Sequence, residues 1–244
     1  MINNRYRLKP HEIKLIKSLR NEQENRVLIV GDLHAPFIRE GYLEHVLEVQ
    51  EKYQTNQVVF IGDIIDNHYS SYHEQDPDGY GAGEELDRAI DHIQKWYKHF
   101  PKAKVCIGNH DAIICRKAFS SGISNRWIKD FDDVLGTPGW DFKQSHFIDG
   151  VMYVHGTGSS GKGATKRVRE WQTSIVQGHV HTEAYIDWYV NKEYRLFAMQ
   201  VGCGVDDRSY AMAYARNFTK KYVVSCAVVL DNGKLPLILP MELK

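Results

Sequence analysis

Five short apolar runs in this sequence each end in a glycine beside an aspartate, an asparagine or a histidine. The run at residues 26–30 leads into Gly31-Asp32-Leu33-His34. The later endings are Gly62-Asp63, Gly108-Asn109-His110-Asp111, His155-Gly156 and Gly178-His179-Val180-His181. A β-branched run that stops at a glycine and then presents polar side chains is typical of a buried strand with ligands at its carboxyl end. Five such endings in order predict one site at one edge of a sheet.

The polar side chains at these endings favour a metal site. The sequence contains 12 histidines, and five of them lie in the strand endings. Carboxylate oxygens and imidazole nitrogens without cysteine are typical ligands of Mn, Fe, Zn or similar divalent ions, and not of a structural thiolate site. The number of these side chains is sufficient for two ions.

The order of the endings, D-x-H, G-D-x-x-D, G-N-H-D, H-G and G-H-x-H, resembles the calcineurin-like metallophosphoesterase superfamily over residues 27–181. The resemblance implies an α/β fold, a four-layer α/β/β/α sandwich of two mixed sheets flanked by helices. It also implies a phosphoesterase that hydrolyses phosphate esters with a hydroxide bound to two divalent metal ions. Manganese is the expected metal, and Fe, Zn, Ni and Mg are alternatives. The segment 67–83 and Gly202-Cys203-Gly204 resemble phosphoesterases common in bacteriophage genomes.

The resemblance further implies which side chains hold each ion. The ligands implied for one ion are Asp32, His34, Asp63 and His181. The ligands implied for the other ion are Asp63, Asn109, His155 and His179. Asp63 then bridges the pair, because two cations about 3.5–4 Å apart repel strongly unless an anionic oxygen lies between them.

His110 resembles the histidine of the family that binds no metal and donates a proton to the leaving oxygen. Asp66 then orients His110 and raises its pKa, so that imidazolium is available. Each residue taken singly has a plainer interpretation: His155 as a hydrogen-bonded structural histidine, Asn109 as a turn residue, and Asp66 or Asp111 as a helix N-cap.

The substrate is less constrained than the metal site. Phosphoprotein phosphatases of the superfamily carry arginine after the second aspartate of G-D-x-x-D and glutamate after G-N-H, whereas this chain has Asn67 and Asp111. This departure favours a phosphodiesterase acting on nucleic acid or nucleotides, with a small-molecule or protein phosphomonoesterase as the alternative. A non-catalytic metal-binding scaffold is a further alternative, although a scaffold has no need of His110. The substrate contacts that we expect are Asn67, His68, Tyr69 and Lys162.

Residues 156–163 nearly match the nucleotide-binding pattern G-x-x-x-x-G-K-[ST]. The last position is Gly163, so the hydroxyl that would bind Mg²⁺ is missing. We therefore prefer a flexible basic segment at residues 158–169, in which Lys162, Lys166, Arg167 and Arg169 form a local phosphate-binding patch.

Composition limits the partners and the compartment. The 244 residues are enough for a single domain, with residues 1–24 as a helical extension. Lys plus Arg equals Asp plus Glu at 31 each, so no overall field attracts nucleic acid or membrane. The four cysteines have no C-x-x-C spacing, which favours reduced core thiols. The absence of an apolar leader or spanning segment predicts no membrane contact and a cytoplasmic protein, in the host cytoplasm if phage-encoded.

Periodicity predicts the main helices and strands. Helices are expected at residues 10–24, 40–53 and 84–100, and the first should pack on the domain through Ile13, Ile16 and Leu19. Residues 67–83 are expected to form a loop beside the metal site. Residues 112–140 remain unassigned, with Trp127, Phe131 and Trp140 as expected packing anchors. Later strands are expected near 151–155, 174–178, 185–190, 194–200, 223–230 and 235–239, with a hairpin turn at 231–233.

Overall fold

The apolar runs of the sequence form the strands of two β-sheets. The computed structural model of the chain describes residues 9–72, 76–215 and 219–242. Within these ranges the helices are α1 (Pro10–Gln23), α2 (Tyr42–Tyr53), α3 (Ala82–His99), α4 (Ile113–Ser120), α5 (Phe131–Leu135) and α6 (Gly163–Trp171). The strands are β1 (Val27–Val30), β2 (Gln57–Phe60), β3 (Ala103–Cys106), β4 (Trp140–Lys143), β5 (Ser145–Ile148), β6 (Val151–Val154), β7 (Ser174–Gln177), β8 (Tyr185–Val190), β9 (Arg195–Gln200), β10 (Ser225–Leu230) and β11 (Leu235–Pro240).

Both sheets are mixed. The first has the strand order β11-β10-β1-β2-β3-β4, with β1 to β4 parallel and β10 antiparallel to its neighbours. The second has the order β5-β6-β7-β9-β8, with β6, β7 and β9 parallel and the two edge strands antiparallel. Parallel strands joined by helices are buried on both faces, which explains the continuously apolar sequence of β1 at residues 27–30.

Four layers pack around three apolar clusters. The cluster between the two sheets contains Ile29 and Val59 from one sheet and Val176 and Phe197 from the other. Helices α2 and α3 cover the outer face of the first sheet, and α6 covers the outer face of the second. The predicted four-layer α/β/β/α sandwich with two mixed sheets is confirmed. That the chain is a single domain stays a prediction.

Parallel strands from both sheets direct their carboxyl ends to one edge of the sandwich. The ends of β1, β2 and β3 lie beside the ends of β6 and β7, as the contacts between Asp32 and His179 and between Asp63 and His155 require. The five strand endings of the sequence therefore meet in space.

The segment that we expected to be flexible is in part a helix. Residues 163–171 form α6, and its side chains Ala164 and Val168 are buried against the second sheet. These two residues are four apart, so they lie on one face of the helix. The expectation of a flexible segment at residues 158–169 was wrong for this part, because an apolar stripe of only two residues is hidden among glycines and basic residues.

The unassigned segment 112–140 contains α4, α5, β4 and a 3-10 helix at Asn125–Trp127. Trp140 is buried, and its indole N–H donates to the carbonyl of Phe100. Phe131 stacks on Phe142. Trp127, in contrast, is 85% exposed, so the expectation that it anchors the packing was wrong.

The two ends of the described chain differ in how well they agree with the predictions made from the sequence. On α1, Ile13 and Ile16 are 42% and 39% exposed, so the expected packing against the domain is wrong for these two, and the side chain of Leu19 lies outside the described residues. The predicted turn at residues 231–233 is confirmed, because it joins β10 to the antiparallel β11. All four cysteines are free thiols, and three are buried. No helix in the described ranges is long and apolar enough to cross a bilayer.

The first strand ending is tied to its neighbours by one buried tyrosine. The hydroxyl of Tyr42 accepts a hydrogen bond from the Gly31 amide at 3.0 Å and donates to the Ser225 carbonyl at 2.8 Å. The residue is fully buried, so its loss leaves two backbone groups without a partner.

Tyr42→Phe should lower the free energy of unfolding by about 1–3 kcal/mol, because both backbone groups lose their hydrogen bond in a fully buried position. Urea unfolding monitored by circular dichroism measures this change. Tyr194→Phe is the matched control, since the Tyr194 hydroxyl bonds to Gln172 in an exposed position and its removal should cost no more than about 0.5 kcal/mol. Equal effects of the two substitutions would contradict the assignment.

Candidate metal centre

The first group of candidate ligands follows β1 and β7. Ligand atoms of Asp32, His34 and His181 lie within 4.8 Å of one another. The His181 Nε2 atom is 3.1 Å from the Asp32 Oδ2 atom, which also accepts the His179 amide at 2.7 Å. The Asp32 Oδ1 atom and the His34 Nε2 atom are buried and have no hydrogen-bond partner among the described residues. Buried ligand atoms without a hydrogen-bond partner are what a cation site requires.

The second group follows β2, β3, β6 and β7. Ligand atoms of Asp63, His155 and His179 also lie within 4.8 Å of one another. The His155 Nε2 atom is 3.1 Å from the Asp63 Oδ2 atom, 3.0 Å from the Asn109 Oδ1 atom and 3.2 Å from the His179 Nδ1 atom. Three polar atoms therefore lie close to one nitrogen. A single proton on that nitrogen can form a good hydrogen bond with only one of them, whereas a divalent ion could bind all of these atoms.

Asp63 joins the two groups. Its Oδ2 atom lies 3.5 Å from His34 Nε2 in the first group and 3.1 Å from His155 Nε2 in the second. Burial raises the pKa of Asp63, but the histidines around it outweigh burial and hold the pKa well below its usual range. An ionised carboxylate between two ligand sets has the position expected of a bridging ligand.

The hydrogen bonds behind the histidines orient their rings toward the centre. The Nδ1 atom of His155 is 3.1 Å from the Ile61 carbonyl, which can only accept, so this nitrogen carries the proton and Nε2 is left as the ligand atom. The Nδ1 atom of His34 is 2.5 Å from Asp66 Oδ1, which leaves its Nε2 facing Asp63. A carbonyl or carboxylate behind the ring is the usual support of a metal-binding histidine.

His110 lies beside this centre, with its ring 4.5 Å from that of His34. Its Nδ1 atom is 2.5 Å from the backbone carbonyl of Asp66 and 3.4 Å from the Asp66 carboxylate. Burial lowers the pKa of His110, but the carboxylates of Asp63 and Asp66 outweigh burial and raise it. The shorter contact of the Asp66 carboxylate is with His34, so Asp66 supports both imidazoles.

Several residues of the site adopt the left-handed backbone region. The φ angles of His34, Asp63, Asn67 and His179 are 50°, 47°, 51° and 72°. Such conformations are uncommon outside glycine and occur where the surrounding structure enforces them, often at functional sites. The chain therefore accepts local strain in order to turn these side chains toward one point.

Two glycines are required because the carboxylates approach the backbone closely. A Cβ atom on Gly108 would lie 2.1 Å from Asp63 Oδ1, and one on Gly178 would lie 2.2 Å from Asp32 Oδ1. No side chain fits at these distances. The glycines at the strand endings thus make room for the protein's own candidate ligands.

Asp111 has a structural function that its position in the sequence did not reveal. Its Oδ1 atom accepts from the amides of Ile64 and Ile65, and its Oδ2 atom accepts from the amide of Gly108. Burial and the charge of Asp63 raise its pKa to about 7. It does not cap α4, whose first flanking residue is Ala112. Asp111 holds the turns after β2 and β3 together, a function that depends on tertiary structure and leaves no local sequence signal.

Other buried polar side chains support the remaining turns. Glu85, in the first turn of α3, accepts the amides of His68 and Tyr69. Gln177 donates to Gln200, and Gln200 donates to the carbonyls of Gly178 and Val180 in the G-H-x-H turn. These residues leave no local signal in the sequence either, because their hydrogen bonds join distant segments.

The four expected substrate contacts have different surroundings. The Asn67 amide donates to the carbonyl of His110 at 2.9 Å, so it also fixes the His110 turn. His68 is buried against Tyr210, whereas Tyr69 is 45% exposed. Lys162 pairs with Asp187 at 3.2 Å and lies over the ring of Tyr185. Their contacts with substrate stay predictions.

Comparison with known protein families identifies the chain. The profile of the calcineurin-like phosphoesterases matches residues 25–211, a span that contains all five strand endings. The chain belongs to this family. The family match supports phosphoester hydrolysis as the general chemistry of the metal centre.

Some solved structures are similar to this chain over most of its length. One is the Vacuolar Protein Sorting 29 structure from Cryptosporidium parvum, with 14% identity and a TM-score of 0.49 over 91% of this chain and 92% of that one. Another is the phosphoesterase Yfce from E. coli, with 13% identity and a TM-score of 0.39 over 87% and 98%. A third is the nuclease MPE of Pseudomonas putida, with 12% identity and a TM-score of 0.39 over 88% and 87%. No curated protein sequence matches the chain significantly.

The protonation of His155 predicts how metal binding depends on pH. Burial lowers its pKa, but the carboxylates of Asp63 and Asp32 outweigh burial and raise it to about 9. A divalent ion at Nε2 displaces this proton, so binding at pH 7.5 should release about one proton per protein, and the apparent affinity should rise toward pH 9.

Calorimetric titration with Mn²⁺ in buffers of different ionisation enthalpy counts the released protons. At pH 9 about half of the imidazole is already neutral, so the same titration should release about half as many protons and serves as the control. Binding at pH 7.5 without proton release would contradict the ligand assignment of His155.

Proposed function

We propose that this protein is a metal-dependent phosphodiesterase that acts on nucleic acid or nucleotide substrates. The observation that carries the proposal is the position of Asp63 between two groups of metal-ligand side chains, with the imidazole of His110 beside them. A structural metal site requires no such additional imidazole. The imidazole of His110 therefore favours a catalytic site over a structural metal site.

The side chains fit two divalent ions. One ion would be held by Asp32, His34, Asp63 and His181. The other would be held by Asp63, Asn109, His155 and His179. Mixed carboxylate, amide and imidazole donors suit Mn, Fe, Zn or similar divalent ions, among which we propose manganese. When bound, such a pair polarises the phosphate oxygens and lowers the pKa of a water molecule.

His110 is proposed to protonate the leaving oxygen. Bound metal ions would offset the charge of Asp63, but the carboxylate and the carbonyl of Asp66 also raise the pKa of His110 and favour imidazolium, which is the form that donates a proton. The hydrogen bond from Nδ1 to the Asp66 carbonyl fixes one nitrogen, so the proton available for transfer is the one at Nε2. Asp66 acts through its charge and its carbonyl, as a positioning residue.

A diester is preferred on the basis of charge. A monoester carries close to two negative charges at neutral pH, and a diester carries one. Asn67 offers a neutral amide that is already bonded to the His110 carbonyl, and the ammonium of Lys162 is paired with Asp187. Neither side chain provides the bidentate cation that would compensate the additional charge of a monoester. Phosphomonoesters of small molecules or proteins are the alternative substrates.

The cellular setting is part of the same proposal. The resemblance of segments 67–83 and 202–204 to phosphoesterases of bacteriophages supports a phage-type enzyme, which would act in the host cytoplasm. The four free thiols agree with a reducing compartment.

Comparison of two aryl phosphates tests the proposed function. Under saturating Mn²⁺, kcat/KM for bis(p-nitrophenyl) phosphate should exceed kcat/KM for p-nitrophenyl phosphate, because the site supplies little positive charge beyond the metals. Both reactions release the same chromophore, so absorbance at one wavelength measures both. A strong preference for the monoester would favour the alternative, and hydrolysis of neither compound would favour a non-catalytic scaffold.

The role of His110 predicts a dependence on the leaving group. His110→Asn should leave metal stoichiometry unchanged and lower kcat by roughly 10²–10⁴ for a diester with a poorly leaving alcohol. The loss should be much smaller for a nitrophenolate leaving group, which needs little protonation. Equal losses for good and poor leaving groups would assign His110 another role.

A further inference from the structure

An exposed surface beside the metal centre has an unusual combination of side chains. It consists of the segment from α4 to Lys129, two residues after the following 3-10 helix, together with a tyrosine whose ring lies beside Arg116 and Lys117 of α4. We call it the α4 surface. Its members are Tyr72, Arg116, Lys117, Phe119, Arg126, Trp127 and Lys129.

The α4 surface is positively charged although the whole chain is neutral. Residues 112–129 contain four cationic side chains and no aspartate or glutamate, while the chain as a whole has 31 of each sign. Within the described part of the chain, none of these four cations forms an ion pair with a carboxylate. In the basic patch predicted at residues 158–169, in contrast, Lys162 pairs with Asp187 and Lys166 with Glu170, and only Arg167 and Arg169 have no carboxylate partner among the described residues. The α4 surface therefore carries more uncompensated positive charge than that patch.

Large aromatic rings are exposed among these cations. Trp127 is 85% exposed, Phe119 is 80% exposed and Tyr72 is 64% exposed. The Arg116 guanidinium and the Lys117 ammonium lie 5.5 Å and 5.4 Å from the centre of the Tyr72 ring. Exposure of this extent has a hydrophobic cost that packing within the chain does not offset. The rings are therefore available to a partner.

The α4 surface leads directly from the catalytic side of the metal centre. Helix α4 begins at Ile113, three residues after His110, and its eight residues extend about 12 Å. The 3-10 helix with Trp127 packs against α4. A chain whose scissile phosphate lies at the metals could thus continue from the leaving oxygen near His110 onto this surface.

We propose that the α4 surface binds single-stranded nucleic acid and guides it to the metal centre. The inference rests on the proposed phosphodiesterase function and adds the site that holds the polymer. Cations contact the phosphates, and exposed rings stack on unpaired bases whatever their sequence. Paired bases in a duplex are not available for such stacking. A membrane-surface helix requires a continuous apolar face, whereas Phe119 and Trp127 lie on different elements.

The test separates binding from hydrolysis. Fluorescence anisotropy measures the affinity of metal-free protein in EDTA for labelled single-stranded (dT)₁₂ and (rU)₁₂ and for a 12-base-pair duplex. The first variant is Arg116→Gln with Lys117→Gln, and the second is Trp127→Ala. The matched controls are Lys52→Gln with Lys98→Gln, in the last turns of α2 and α3, and Trp171→Ala, at the end of α6. Thermal unfolding verifies that every variant is folded.

The wild type should bind the single strands more tightly than the duplex. Trp127→Ala should weaken that binding about 5- to 100-fold, the usual effect of losing one stacked base. The double glutamine variant should make the negative slope of log affinity against log salt shallower by about 1.4, or about 0.7 for each lost phosphate contact. The controls should change neither quantity.

Several results would overturn the inference. These are no binding of single strands by the wild type, preference for the duplex, equal losses in the controls, or binding only to vesicles of anionic lipid. Self-association that Trp127→Ala abolishes while DNA affinity is unchanged would assign the surface to a second copy of the chain. Failure of the proposed function is read separately, as the absence of bis(p-nitrophenyl) phosphate hydrolysis by Mn²⁺-loaded wild type.

Discussion

The candidate metal centre depends on the carboxylate of Asp63, which lies between its two groups of ligands. Two cations at bonding distance from one site repel each other, and only an anionic oxygen between them makes the arrangement favourable. Asp63 occupies that position because β2 ends at the same edge as β1 and β6, so that one oxygen lies near both His34 and His155. The fold thus brings strand endings from two sheets to one carboxylate.

The protein maintains this arrangement at a local cost. Asp63 and His34 have positive φ angles, and Gly108 has no room for a side chain. The cost is offset by hydrogen bonds away from the centre: Asp111 binds three amides of the turns after β2 and β3, and Tyr42 holds the turn after β1. Hydrogen bonds of this kind, made by residues outside the candidate ligand set, keep the ligand atoms in position before any ion binds.

The sequence predicted the parts of the site that are local. Each candidate ligand follows an apolar run, so its position at a strand end could be derived from a few residues. The four-layer architecture was predicted from the family resemblance that the ordered motifs carry. What depends on distant contacts could not be derived. The three amide partners of Asp111 come from two turns, and the short apolar stripe of α6 is hidden among glycines and cations. Trp127 was expected to anchor the packing because large apolar residues are usually buried, but it is 85% exposed.

Anomalous diffraction of crystals grown with saturating Mn²⁺ tests most directly whether Asp63 lies between two bound ions. We expect two anomalous peaks about 3.5–4 Å apart, on either side of the Asp63 carboxylate. One peak should lie among Asp32, His34 and His181, and the other among Asn109, His155 and His179. A single peak, or none, at saturating Mn²⁺ would contradict a centre built for two ions around Asp63.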